Sequence, residues 1–205
     1  MAFETFGLAS REPRFSILRH LKNARVVYLI DESHHNKKNI LENIGIAKQL
    51  IRSANVDLIG VESHEGGHAY DEYDDRYTLS YMNGEISFAP LVNDCPWFAQ
   101  GVTVEGVPLV GVECRGLLNQ ICTQIQFNEW SGPKPLHPNQ VRRSMHFLKT
   151  LFCERAKLGI SQNAIINCGR DHNAHISEFI KKGEVETIAG FAASYVRVHA
   201  YSFQD

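Results

Sequence analysis

The stretch RVVYLIDESHHNKKNILENIGIAKQLIRSANVDLIGVE, residues 25–62, decides the fold. Residues 25–30 form a short, β-branched apolar run of buried-strand length, and residues 57–61 (DLIGV) form another. Between them Ile40, Ile44, Ala47 and Ile51 recur at i, i+4, i+7 and i+11. That spacing predicts a helix over residues 36–53 with one apolar face, and Asn36 is placed to cap its N-terminus. Strand, helix, strand is a crossover unit, and a crossover joins parallel strands.

The same alternation continues downstream. Residues 107–112 (VPLVGV) read as a third strand, 117–127 as a helix and 164–168 (AIINC) as a fourth strand. A long helix is expected over 140–158, with Val141, Met145, Leu148 and Phe152 inward. Another is expected over 171–182, with Ile176, Phe179 and Ile180 inward and Gly183 as its stop. Residues 194–201 alternate and predict an edge or antiparallel strand. Residues 16–24 read as a short helix bearing Ile17, Leu18 and Leu21, and the proline-rich 132–138 segment as a surface linker. Residues 63–101 are polar for most of their length and rich in tyrosine and acid, so they read as an inserted loop or lid. The expectation is one α/β domain over residues 1–205: a largely parallel central sheet, flanked by helices, with that insertion.

Composition narrows the function. The chain has 205 residues, 43% hydrophobic and 21% charged, with net charge −2. Those values describe a globular protein and exclude a disordered, collagenous or coiled-coil chain. Without a basic surplus there is nothing to drive binding to a phosphate backbone, so no nucleic-acid partner is expected. No apolar run approaches the ~20 residues that span a bilayer, so no membrane partner is expected either. Residues 1–14 lack the apolar core of a signal peptide, and Cys95, Cys114, Cys122, Cys153 and Cys168 show no CxxC pair. Both point to a cytoplasmic chain with reduced thiols.

The residues just past each strand carry the chemistry. The first strand runs into Asp31-Glu32-Ser33-His34-His35, the second into Glu62-Ser63-His64, the third into Glu113-Cys114-Arg115 and the fourth into Gly169-Arg170-Asp171-His172. Ligands of open parallel sheets bind outside the carboxyl ends of the strands. If the four strands are neighbours, Glu32, His34, Glu62 and His172 meet within about 10 Å. Carboxylates and imidazoles on one rim suit general acid–base chemistry or a divalent metal.

These strand-end motifs resemble the superfamily that unites erythromycin esterase-like proteins, ChaN-like haem-binding lipoproteins and TraB/Tiki-type proteins. There a strand is followed by G-E-x-H, a second strand ends in Glu, and a late strand is followed by G-x-x-H. Glu32 and His34 match the first motif, Glu62 the second, and Gly169 and His172 the third, in the right order between residues 25 and 182. Asp31 departs from the pattern: it stands where the family has Gly, and it adds a charge and narrows backbone freedom. The resemblance implies a mixed α/β sheet whose Glu/His cluster carries the activity, which is hydrolytic in the esterase and Tiki branches.

The functional expectation is a hydrolase of an ester, amide or similar acyl bond in a small molecule or peptide. His34 or His172 activates water, Glu32 and Glu62 orient the imidazoles, and Arg170 or Arg115 faces developing negative charge. Glu113, Arg115 and His64 are expected to contact substrate. In a metal-assisted version His34, Glu62 and His172 become ligands, a set that suits Zn or Mn. The alternatives are a non-catalytic haem-type binding module and an inactive member working through protein partners. A rival motif, His64-Glu65-Gly66-Gly67-His68, matches the H-E-x-x-H zinc-protease signature. That signature needs a helix, and its two central glycines each cost a helix about 1 kcal/mol, so a helical zinc site is not expected there.

Overall fold

The β-branched runs do become strands, and the apolar periodicities become helices. A computed structural model describes residues 13–33, 37–65, 106–127, 129–159, 162–185 and 193–199. The strands are β1 (Arg14–Arg19), β2 (Val26–Glu32), β3 (Val56–Glu65), β4 (Leu109–Glu113), β5 (Asn163–Gly169) and β6 (Ser194–His199). The helices are α1 (Lys37–Ala54), α2 (Arg115–Gln126), α3 (Pro138–Lys157) and α4 (Arg170–Lys181). The expected lid falls almost wholly outside the described residues.

The six strands form one sheet in the order β1-β6-β2-β5-β3-β4. Every neighbouring pair is parallel except β1 with β6. This is the expected α/β architecture, and the four strands whose ends carry Glu or His are contiguous within it. β5 lies between β2 and β3, with Glu32 beside Gly169 on one flank and Val61 beside Asn167 on the other.

Each sheet face is covered. On one, Val27, Leu29, Leu58, Val110, Val112 and Ile166 pack with Phe147, Leu148 and Leu151 of α3 and Ile176 and Phe179 of α4. On the other, Tyr28, Ile30, Ile59, Val61 and Ile165 meet Ile40, Ile44, Ala47 and Leu50 of α1. Parallel strands buried on both faces read as continuous apolar runs, which is why they are visible in the sequence. α1 turns into β3 through the single residue Asn55, in the left-handed region at φ 49°, a conformation asparagine tolerates after a helix. Gly183 follows α4 at φ 72° and donates its N–H to the Ile180 carbonyl at 3.1 Å.

Two local expectations are corrected. Part of the short helix expected over residues 16–24 is instead β1. Its residues pair with β6 from Arg14↔His199 to Arg19↔Tyr195, and that tertiary pairing outweighs a weak helical pattern. β6 is antiparallel to β1, one of the two alternatives expected for residues 194–201, but it is not an edge, since β2 lies on its other side. The 132–138 linker is largely exposed but ends in a buried anchor: His137 is 3% exposed, and its Nδ1 accepts the Asn139 N–H at 3.1 Å, capping α3. Among the described residues no helix is long and apolar enough to cross a membrane.

Candidate active site

The carboxyl ends of β2, β3, β4 and β5 open into a cleft of about 670 Å³, closed on one side by the first turns of α3 and α4. Its walls include Glu32, Glu62, Glu113, Arg143, Arg170 and His172. The sheet supplies the carboxylates because each strand ends there. α4 supplies His172 because it starts directly after Gly169, the last residue of β5.

Glu62 and His172 form the centre of the arrangement. Glu62 Oε1 lies 3.3 Å from His172 Nε2, and Glu62 Oε2 accepts the Gly169 backbone N–H at 2.6 Å. Both side chains are buried, at 8% and 2% exposure. Phe147 stacks obliquely on the imidazole, ring centres 4.6 Å apart, and fixes its plane. Glu32, also buried, accepts a hydrogen bond from the Asn167 amide on β5. Two carboxylates thus flank β5, one held by its side chain and one by its backbone.

Arg143 of α3 is buried against these carboxylates. It grips Glu113 through Nε at 2.9 Å and Nη2 at 2.5 Å, and Nη2 also reaches Glu62 at 3.4 Å. Glu113 further accepts the Cys114 N–H at 2.8 Å, so both its oxygens are committed to protein partners. Arg143 Nη1 donates to Gln140 Oε1 at 2.6 Å, and Gln140 Nε2 sits 3.1 Å from His172 Nε2. The far nitrogen, His172 Nδ1, is 2.8 Å from Ser144 Oγ, which is itself 2.9 Å from His175 Nδ1. Burial and the neighbouring His172 hold the His175 pKa below its usual value. Behind the site, burial followed by the Glu62, Asp31 and Glu32 carboxylates pushes the Cys168 thiol well up, so it stays protonated and inert.

Asp31, the departure from the family pattern, takes no part in the cleft. It points to the opposite sheet face from Glu32 and is fully buried. There it binds Arg197 through two bonds (3.0 and 2.9 Å), His199 at 2.9 Å and the Asn173 amide at 2.9 Å. The charge it adds is therefore met by two basic side chains of β6, and it ties that strand to α4.

Of the residues singled out in sequence, Glu32, Glu62, Glu113, Arg170 and His172 come to one cleft. Arg170 is exposed at its rim, as is Lys134. His34 lies outside the described residues, as do the side chains of His64 and Arg115. His64 and Glu65 are the last residues of β3, so the H-E-x-x-H stretch begins on extended backbone and not on a helix. Among the described residues no three His, Cys, Asp or Glu side chains form a metal-binding group. Of the metal set only Glu62 and His172 can be placed, and the Arg143 guanidinium already sits against Glu62 where a cation would compete. Glu62 and His172 alone do not make up a metal site, and the third expected ligand, His34, lies outside the described residues.

Gln140, Arg143, Ser144 and His175 were not anticipated, yet a signal existed. Gln140, Ser144 and Leu148, and Arg143, Phe147 and Leu151, each recur at i, i+4 and i+8. Polar groups on the stripe that otherwise packs the core need buried partners, and here those partners are the strand-end carboxylates and His172. No family model matches the chain, and no curated protein and no solved structure is significantly similar to it.

Proposed function

We propose that the chain is a hydrolase of an ester, amide or similar acyl bond, of the type suggested by its likeness to the erythromycin esterase-like and Tiki branches. The observation that carries the reading is the 3.3 Å approach of Glu62 Oε1 to His172 Nε2 on the floor of the cleft. A neutral imidazole there accepts a proton from an attacking water at Nε2. The imidazolium so formed lies against Glu62, and the contact becomes a charge-assisted hydrogen bond in a dry site. Arg143 keeps Glu62 and Glu113 in place, and Phe147 keeps the ring in plane. Arg170 and Lys134 stand on the walls of the same cleft and supply positive charge for a developing oxyanion.

The test is turnover on a panel of ester and amide substrates by wild type, His172→Ala and Glu62→Gln, each checked for an unchanged melting temperature. Loss of the base lowers the rate by about 10²–10⁴-fold. A folded His172→Ala variant with full turnover, or a wild type inert on the entire panel, overturns the reading.

A further inference from the structure

His172 can act as a base only if its Nε2 carries a lone pair in the resting protein, and the hydrogen bonds around it decide that. At one end stands Arg143, which can only donate. Its Nη1 donates to Gln140 Oε1 at 2.6 Å, which fixes which end of that amide is oxygen. The amide nitrogen therefore faces His172 Nε2 at 3.1 Å, and it too can only donate. At the other end stands the Ser144 hydroxyl, between the Nδ1 atoms of His172 and His175.

The Ser144 hydroxyl has one proton to give. It donates to the Gln140 carbonyl at 3.1 Å, whose second lone pair accepts this back-bond beside the helical N–H. His175 Nδ1, 2.9 Å from Ser144 Oγ, then donates to it. Ser144 Oγ then has its second lone pair for His172, 2.8 Å away, so His172 Nδ1 carries the hydrogen and donates. Both ends give the same answer: hydrogen on Nδ1, lone pair on Nε2.

We propose that Ser144 and His175 are positioning residues that, together with the Arg143–Gln140 pair, lock His172 as its Nδ1–H tautomer, with Nε2 as the accepting nitrogen on the side of Glu62. The arrangement replaces the carboxylate that more commonly orients a catalytic histidine with a neutral hydroxyl–imidazole pair. A carboxylate at Nδ1 would leave a further negative charge beside Glu62 and Glu113. The relay avoids that and still specifies one tautomer. His175 occupies the hydroxyl's other lone pair, and burial and the neighbouring His172 both favour its neutral form.

The test is the tautomer itself, read from long-range ¹H–¹⁵N correlations of full-length protein carrying ¹⁵N-histidine, at about pH 8 where free histidine is neutral. His172 signals are identified by their disappearance in His172→Gln. The expected wild-type pattern has the pyrrole-type shift on Nδ1 and the pyridine-type shift on Nε2. Ser144→Ala is expected to move His172 toward the Nε2–H form, with that hydrogen turned to Glu62, and Ser144→Thr, which keeps the hydroxyl, to restore the wild-type pattern. A wild-type His172 protonated on Nε2, or a folded Ser144→Ala variant with an unchanged pattern, overturns the proposal. The wild-type measurement stands even if Ser144→Ala does not fold. The use of the lone pair in catalysis rests on the hydrolase reading, but its position does not, so the spectrum and the substrate panel fail independently.

Discussion

A guanidinium that is 2% exposed and holds one carboxylate by two bonds and touches another has no ready substitute. Removing Arg143 leaves Glu113 and Glu62 buried without their cation, and breaking a buried pair from one side costs about 3–5 kcal/mol. Arg143→Ala is expected to lose that much unfolding free energy in urea. Arg143→Lys recovers only part, because an ammonium cannot match the two-pronged grip on Glu113. A variant within about 1 kcal/mol of wild type would mean that water reaches the carboxylates and that the pair is of the exposed kind. Residues of this type were half legible. Glu32, Glu62 and His172 announced themselves by following apolar strands. Arg143 and Ser144 did not, because a polar residue on a helix stripe is recognised as buried only once its partner is known, and the partners lie far along the chain on other elements.

At the scale of elements, α3 has two halves with different work. Its first turns carry Gln140, Arg143 and Ser144 to the cleft, and its later turns carry Phe147, Leu148, Leu151 and Phe152 into the core. The second half sets the depth at which the first half sits, and that depth depends on β3. A Cβ added at Gly60 would lie 2.9 Å from Leu151 Cδ1 and 2.9 Å from Val112 Cγ1. Gly60→Ala should therefore push α3 off the sheet and cost about 1–3 kcal/mol, the usual range for overpacking. Trimming the neighbour in the same chain, as Gly60→Ala with Leu151→Val, should cost less than the two changes summed, and denaturant midpoints of the four variants in the cycle measure the difference. Strict additivity would mean that the two side chains do not meet. The helices and buried strands were readable at this scale because their periods are strong. β1 was not, since Ile17 and Leu18 are arranged by β6, a partner nearly the whole chain away.

Over the whole molecule the sheet order was the least legible feature. Apolar runs say that strands exist, but nothing in their period says that β5 lies between β2 and β3. That placement makes the site: Gly169 and His172 arrive with β5 and α4, and Glu32 and Glu62 wait on either flank. A chain ending at residue 159 keeps β2, α1, β3, β4 and α3 but lacks the strand that joins them. It is expected to show no cooperative unfolding transition by circular dichroism, and a sigmoidal transition would show that β2, β3 and β4 close on each other without β5. The same placement has a consequence for biosynthesis. A ribosome adds about 5–20 residues per second, so roughly 5–20 s separate the emergence of β3 from that of the strand it needs. Throughout that interval β2 and β3 each offer an unpaired edge to their crowded surroundings, and edges of that kind invite association with other chains. The newborn polypeptide thus carries two unpaired edges for as long as the strand that joins them is still to be made.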